Sequence, residues 1–363
     1  MKQITFKKIL FQKWLILPTL AVLTFFCTEI ASKHPEWIEK YYSQNIYPFI
    51  ARILSGLSSI LPVSLDDLFY CALLLLPLAL LILLCLKKIS LKYSGKLIVN
   101  IAAATYILFY FSWGLNYFRP DLTERLNLEA NKANQEEFLE AITKLINRTN
   151  HLQCSFENFE PAQTDRLIEK SYENLAPALQ IPYPMGTRPD KKITFSGFYA
   201  KSGITGYFGP FFNEIHVNKN VLPLEYPFVL AHEKAHQLGI TSEAEANFYA
   251  WLVCTKSNSQ HIQYSANLSI LRHFLNQAYK MKEFPELITL INQSVKNDIN
   301  GIRKHWLLLR NEKMDKVASK VNDTYLKTNK IKGGIEDYRG VVKHVMNFSL
   351  DSAFQERYNL ATQ

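Results

Sequence analysis

Cysteine is scarce in this chain, with five among 363 residues. Cys27, Cys71 and Cys85 fall inside long apolar stretches, where a free thiol packs as a small hydrophobe. Only Cys154 and Cys254 lie elsewhere; one bridge between them is chemically permitted, but a disulfide framework is excluded. No segment repeats at a period of roughly 20–50 residues, which excludes solenoids and propellers. No low-complexity tract is longer than a loop. The first apolar stretch has no small-x-small cleavage site at a sensible distance and outruns the ~7–15 apolar residues of a secretory leader, so it reads as a retained anchor. An excess of acid is missing as well: 41 Lys and Arg stand against 32 Asp and Glu, a net charge of +9. Of this, +6 belongs to residues 1–118 and only +3 to residues 119–363, so a nucleic-acid-binding surface is not indicated.

Apolar residues are abundant and concentrated early. Trp14–Ala31, Leu68–Leu86 and Ile98–Phe118 are each close to the ~20 residues that cross a bilayer as a helix. The expected fold is therefore a mainly α membrane protein, with three transmembrane helices in an anchor of residues 1–118 and an α+β domain over 119–363. Lys2, Lys7, Lys8 and Lys13 precede the first run, and Lys87, Lys88, Lys92 and Lys96 link the second to the third. Lysines in short flanking loops are retained in the cytoplasm. The chain is accordingly placed in the inner, cytoplasmic membrane, with its N-terminus cytoplasmic, its C-terminal domain outside, and the lipid bilayer as a partner. Within the outer loop, Ile46–Val63 is apolar but broken by Arg52, Gly56 and two prolines, the pattern of an interfacial or re-entrant segment. Trp113, Tyr117 and Arg119 are expected at interfacial depth.

Beyond the anchor, periodicity predicts helices over 131–147 and 164–179. Two β-rich runs, Ile193–Ala200 and Phe211–Val217, flank a turn carrying Gly203, Gly206 and Gly209 and predict a small sheet. A helix over Leu224–Leu238 follows, then further helices to about Phe348.

The stretch AHEKAHQLGITSEAEANF carries the chemistry. On a helix, His232 and His236 lie one turn apart on one face and can share an ion between their imidazoles. Glu233, rotated by about 100°, falls beside that ion rather than on it. This is the arrangement of a hydrolytic zinc site: two nitrogen ligands, an open coordination position, and a carboxylate to take a proton from water. A third ligand is still needed, and Glu243 and Glu245 compete for the place. Ser242 and Glu245 form a capping-box pattern, which would occupy Glu245 and leave Glu243 free. Gly239 suits the left-handed residue that ends the first helix. His216 reads as a satisfied strand histidine rather than a fourth ligand. Tyr207, His305, Tyr338, Arg339 and His344 are the candidate donors to an oxyanion. The run GITGYFGPFFNEIHVN is either an edge strand that an extended peptide joins or an ordinary hairpin.

The pairing of HEKAH with EAEAN resembles the HExxH and E-x-x-A-D/N signatures of gluzincin-type zinc metallopeptidases. More widely, the chain resembles a bacterial family of zinc-peptidase-like membrane proteins catalogued as domain of unknown function 3810. The features that match are the three early spans, WGLNYFRP, the motif region, and the late NDTYLKTN and GGIEDYRGVVKHV stretches. The resemblance implies a zincin-like (gluzincin) domain outside the membrane, Glu243 as zinc ligand, and Asn247, where Asp is commoner, as a support for a ligand histidine. The functional expectation is a zinc-dependent peptidase acting on a protein or peptide. Its rivals are a non-catalytic zinc-binding membrane sensor or scaffold, and an envelope protein without metal.

Overall fold

The computed structural model describes residues 13–128, 133–184, 186, 188–331, 334 and 340–360. Three helices are long and apolar enough to cross a bilayer: Lys13–Ala31, Leu65–Cys85 and Leu91–Ser112. They expose most of their side chains, as helices surrounded by lipid do. The first and third lie against each other, whereas the second packs along neither.

Polar residues hid two of the span boundaries from a hydropathy reading. The second span begins at Leu65 because Ser64 Oγ accepts the amide proton of Asp67 at 2.8 Å, which puts Asp66 and Asp67 inside its first turn. The third begins at Leu91, where Ser90 Oγ accepts from Tyr93 N, and it therefore contains Lys92 and Lys96. It stops at Ser112, and Gly114–Phe118 then coil as a 3₁₀ turn. That turn carries Trp113 and Tyr117 into the protein, where they are 4% and 8% exposed. Both are packed in a cluster with Tyr42, Tyr47 and Ala51, so at the end of the third span they meet protein on most sides.

Ile46–Val63 is not among the helices long and apolar enough to cross. It continues a π-helix, Ile38–Ile46, into a helix over Tyr47–Ser59 that buries Tyr47, Ala51, Ser55 and Ser58 and exposes Phe49, Ile53 and Leu57 on the other side.

The C-terminal part is mainly helical. Gln135–Leu152 is nucleated by a capping box between Asn134 and Glu137 and buries Phe138, Ile142, Leu145 and Ile146. It packs on Gln260–Ala278, which with Pro161–Leu175 surrounds the adjacent pair Tyr226–Gln237 and Glu243–Thr255 to form the main core. One small sheet has the order β1-β3-β2, with β1 Lys191–Lys192 parallel to β3 Glu214–Val217, and β2 Gly206–Gly209 antiparallel to it at the edge. The run Ile193–Ala200 is not a strand. Thr194 N is held by Asp67 Oδ2 at 3.0 Å and Ser196 Oγ bonds back to the Ile193 carbonyl, so the chain turns into a short helix, Ser196–Lys201.

Contacts do not divide at residue 118. Glu214, on β3, accepts from Ser64 Oγ, Leu65 N and Asp66 N and pairs with Lys191, which fastens the second span to the sheet. Arg119 clamps Glu39 of the π-helix through Nε at 2.6 Å and Nη2 at 2.9 Å. Cys154 and Cys254 are free thiols, the latter fully buried.

Candidate metal centre

The helix Tyr226–Gln237 is buried on nearly every side, so its polar residues need specific partners. Lys234 supplies the main tether on the side away from the histidines, with Nζ 2.8 Å from Asp165, 2.5 Å from Glu169 and 2.9 Å from the Arg188 carbonyl. Gln237 Nε2 donates to the Asn213 carbonyl at 2.7 Å. At its C-terminus the carbonyl of His236 accepts from Trp113 Nε1 at 2.9 Å, and that of Gln237 from the Tyr47 hydroxyl at 2.6 Å. Gly239 then takes φ +85°, as expected, and reverses the chain into Ser242. Ser242 Oγ caps Glu245 N and starts the helix Glu243–Thr255, which lies alongside the first.

This turn brings three side chains together. His232 Nε2 lies 3.1 Å from His236 Nε2 and 3.1 Å from Glu243 Oε2, and His236 Nε2 lies 3.4 Å from that same oxygen. A tetrahedral zinc with bonds of about 2.0–2.1 Å holds neighbouring ligand atoms about 3.3 Å apart, so the three atoms fit one ion without rearrangement. His236 Nδ1 sits 2.7 Å from the Ile240 carbonyl. A carbonyl only accepts, so that nitrogen carries the proton and Nε2 turns its lone pair to the centre. Glu243 Oε2 is buried between the two imidazoles. The set His232, His236 and Glu243 is the one His/Cys/Asp/Glu group among the described residues with its ligand atoms gathered in this way. Burial works against charge on both groups, yet the carboxylate beside His236 raises its imidazole to about 9, and the two imidazoles hold Glu243 well below the carboxylate range.

Glu233 is buried beside the triad, its carboxylate against the backbone of Gly206 at the start of edge strand β2. A Cβ at Gly206 would come within 2.6 Å of Glu233 Oε1. Burial raises the proton affinity of Glu233, and the neighbouring His232 and His236 partly offset that.

Glu245 is occupied, but not by its own helix. Its Oε1 accepts from Leu122 N at 2.8 Å, and its Oε2 from Arg125 Nη2 at 2.6 Å, both on the short helix that follows the third span. The capping-box expectation therefore holds only for Ser242. Asn247 is 5% exposed, and no hydrogen bond from it to a ligand histidine is present among the described residues; the support for His236 comes from Ile240. His216 is a satisfied buried histidine, bonded to Ser64 Oγ at 2.8 Å and stacked on Tyr207.

Among the oxyanion candidates, the Tyr207 hydroxyl is taken by Asp67 and His305 by the Asn220 carbonyl at 2.7 Å. His344 stacks loosely on Phe248, and Tyr338 and Arg339 lie outside the described residues. Two phenols not named as oxyanion donors from the sequence feel the charge of Glu243. Tyr117 and Tyr325 meet at a ring separation of 6.1 Å. Burial, together with the nearby charge of Glu243, holds both above the ordinary tyrosine value. Each belongs to a stretch quoted for the family resemblance, WGLNYFRP and NDTYLKTN, and that was the available signal.

A family model described as a protein of unknown function, DUF3810, matches residues 42–346. No curated protein and no solved structure matches the chain.

Proposed function

The chain belongs to the DUF3810 family, and from that premise we propose that it is a membrane-anchored, gluzincin-like zinc metallopeptidase that hydrolyses amide bonds of a protein or peptide outside the cytoplasm. The observation that carries this reading is the triangle of His232, His236 and Glu243 at zinc spacing with Glu233 beside it.

His232, His236 and Glu243 would hold the ion, and their 10–13% side-chain exposure leaves one side of the centre open to a water and a substrate. Bound zinc supplies Lewis acidity, drawing the pKa of water from ~15.7 towards 7 and polarising a carbonyl. Glu233 accepts the proton of the attacking water and returns it to the departing amine nitrogen; its raised proton affinity suits both transfers. Strand β2 has β3 on one side and no strand partner on the other among the described residues, so an extended peptide can pair with its free edge next to Glu233. Tyr325, 39% exposed and within electrostatic reach of Glu243, is a side-chain donor for a developing oxyanion. The ion-holding helix ends on Trp113, the residue that follows the third span, so the substrate segment is cleaved close to the membrane surface.

The test is zinc content and peptide cleavage by the full-length chain in detergent, for wild type and Glu233→Gln. We expect both to retain zinc and the variant to lose about 10²–10⁴-fold in rate. Zinc bound with no cleavage of any peptide by either protein would favour a sensor or scaffold. A chain that binds no zinc would refute both readings.

A further inference from the structure

The helix Glu312–Thr328 is amphipathic, yet Leu326 is its one buried residue. Turning the sequence at 100° per residue sets Leu326 with Asp315, Ser319 and Asn322 on the side that touches the body. Val317 and Val321 lie on the opposite side, each 64% exposed, with Tyr325 at the edge of the same stripe. Lys313, Lys316, Lys320 and Lys327 flank the stripe and are all exposed. Among the acids, Asp315 and Asp323 are half-buried; Glu312 is paired with Lys316 and Asp323 with Lys327. Val317 and Val321 are left exposed by the described residues, whereas Tyr325 packs against Phe109 and Tyr117.

The ends of this helix fix how it lies. At its start, Asn311 N donates to the Lys201 carbonyl at 2.8 Å, on the short helix that follows Thr194; Thr194 is in turn bonded to Asp67, in the first turn of the second span. At its finish, Asn329 accepts from the Tyr110 hydroxyl at 3.1 Å, and Lys330 pairs with Glu29 at 3.0 Å. Tyr110 and Glu29 belong to the third and first spans, near their body-side ends. One end is therefore tied above the second span and the other above the first and third, which stand apart from it. The helix bridges the opening between them, over a length of roughly 25 Å at 1.5 Å per residue. The segment Tyr47–Ser59 likewise leaves apolar side chains uncovered, with Phe49 and Leu57 exposed at 67% and 59%.

We propose that Glu312–Thr328 is a membrane-surface helix whose Val317 and Val321 insert at the headgroup boundary of the leaflet facing the body, while its lysines bind anionic phospholipid headgroups. Basic amphipathic helices lie in this way, about 5–10 Å into the boundary, and each lysine near an anionic surface adds to the attraction. Because Tyr325 sits on this helix, the bilayer then forms one wall of the approach to Glu243. The proposal needs neither zinc nor catalysis to be correct.

The experiment places a benzophenone-bearing amino acid at Val317, at Val321 or, as an aqueous reference, at Lys144, in the full-length chain. Each protein is reconstituted in vesicles of phosphatidylcholine with phosphatidylglycerol, irradiated, and its adducts are read by mass. Phospholipid adducts at Val317 and Val321, several-fold above those at Lys144, support the proposal. Adducts only to a second copy of the chain or to no partner overturn it. The charge component is read separately: replacing Lys313, Lys316, Lys320 and Lys327 together by Gln should lower the adduct yield to that of vesicles containing phosphatidylcholine alone. A yield unchanged by those replacements overturns the role given to the lysines.

Discussion

Two helices of the C-terminal part are used in opposite ways. Tyr226–Gln237 buries ten of its twelve residues, whereas Glu312–Thr328 buries one of seventeen. In the first, several polar side chains have a fixed partner: Lys234 has two carboxylates, Gln237 has a carbonyl, and the histidines face Glu243. A polar group buried without such a partner costs free energy, so the surroundings must specify each of these side chains. In the second helix, lysines and valines meet solvent or lipid, and the identity of any one of them matters less to folding. A helix becomes a chemical site when its polar residues are dehydrated and held.

The sharpest way to break this contrast is at the two glutamates of EAEAN. Glu245→Ala strands Arg125 in a buried position and should destabilise the protein by about 3–5 kcal/mol, measured by thermal or denaturant unfolding in detergent. Glu243→Ala should instead remove zinc, read by metal analysis, while the fold survives. If the two outcomes were exchanged, the assignment of ligand and anchor would be wrong.

Next in size is Gly206→Ala. The added Cβ displaces the Glu233 carboxylate, and a misplacement on the scale of an ångström costs on the order of 10²-fold in rate with zinc content unchanged. Peptide cleavage measured alongside metal analysis decides this.

A pH experiment probes the anchoring of the buried helix. Burial disfavours charge on Glu169, but Lys234 and Arg188 outweigh it and hold the carboxyl at about 2, below its ordinary value of 4.5. A carboxyl lowered on folding contributes stability that is present above its unfolded pKa and lost as pH falls through the folded one. Unfolding followed by circular dichroism should therefore show stability falling between about pH 4.5 and 2, and Glu169→Gln should shrink that dependence. The smallest effect is expected on the exposed helix: Lys316→Ala should change stability in detergent by no more than about 0.5 kcal/mol.

Much of the candidate site was legible because its geometry is local. His232, Glu233 and His236 lie within five residues of one helix, where periodicity sets their relative directions, and Gly239 marks the helix end. Glu243 was reachable because the turn between the two helices is short. The preference for it over Glu245 rested on the wrong reason, since the partner that occupies Glu245 is Arg125, 120 residues earlier. Tyr117 and Tyr325 were missed for the same cause: 208 positions separate them, and only packing brings them to one place.

By itself the sequence determined which stretches could leave water, which face of the motif helix carries its histidines, and where that helix stops. These follow from short-range periodicity, hydrophobicity and backbone conformation. Tertiary structure alone decided that the segment between the first two spans and the turn after the third would buttress the helix bearing HEKAH, and that Glu312–Thr328 would bridge two separate parts of the membrane region. Such matters depend on contacts between distant residues, whose free energies exist only once the chain has closed upon itself.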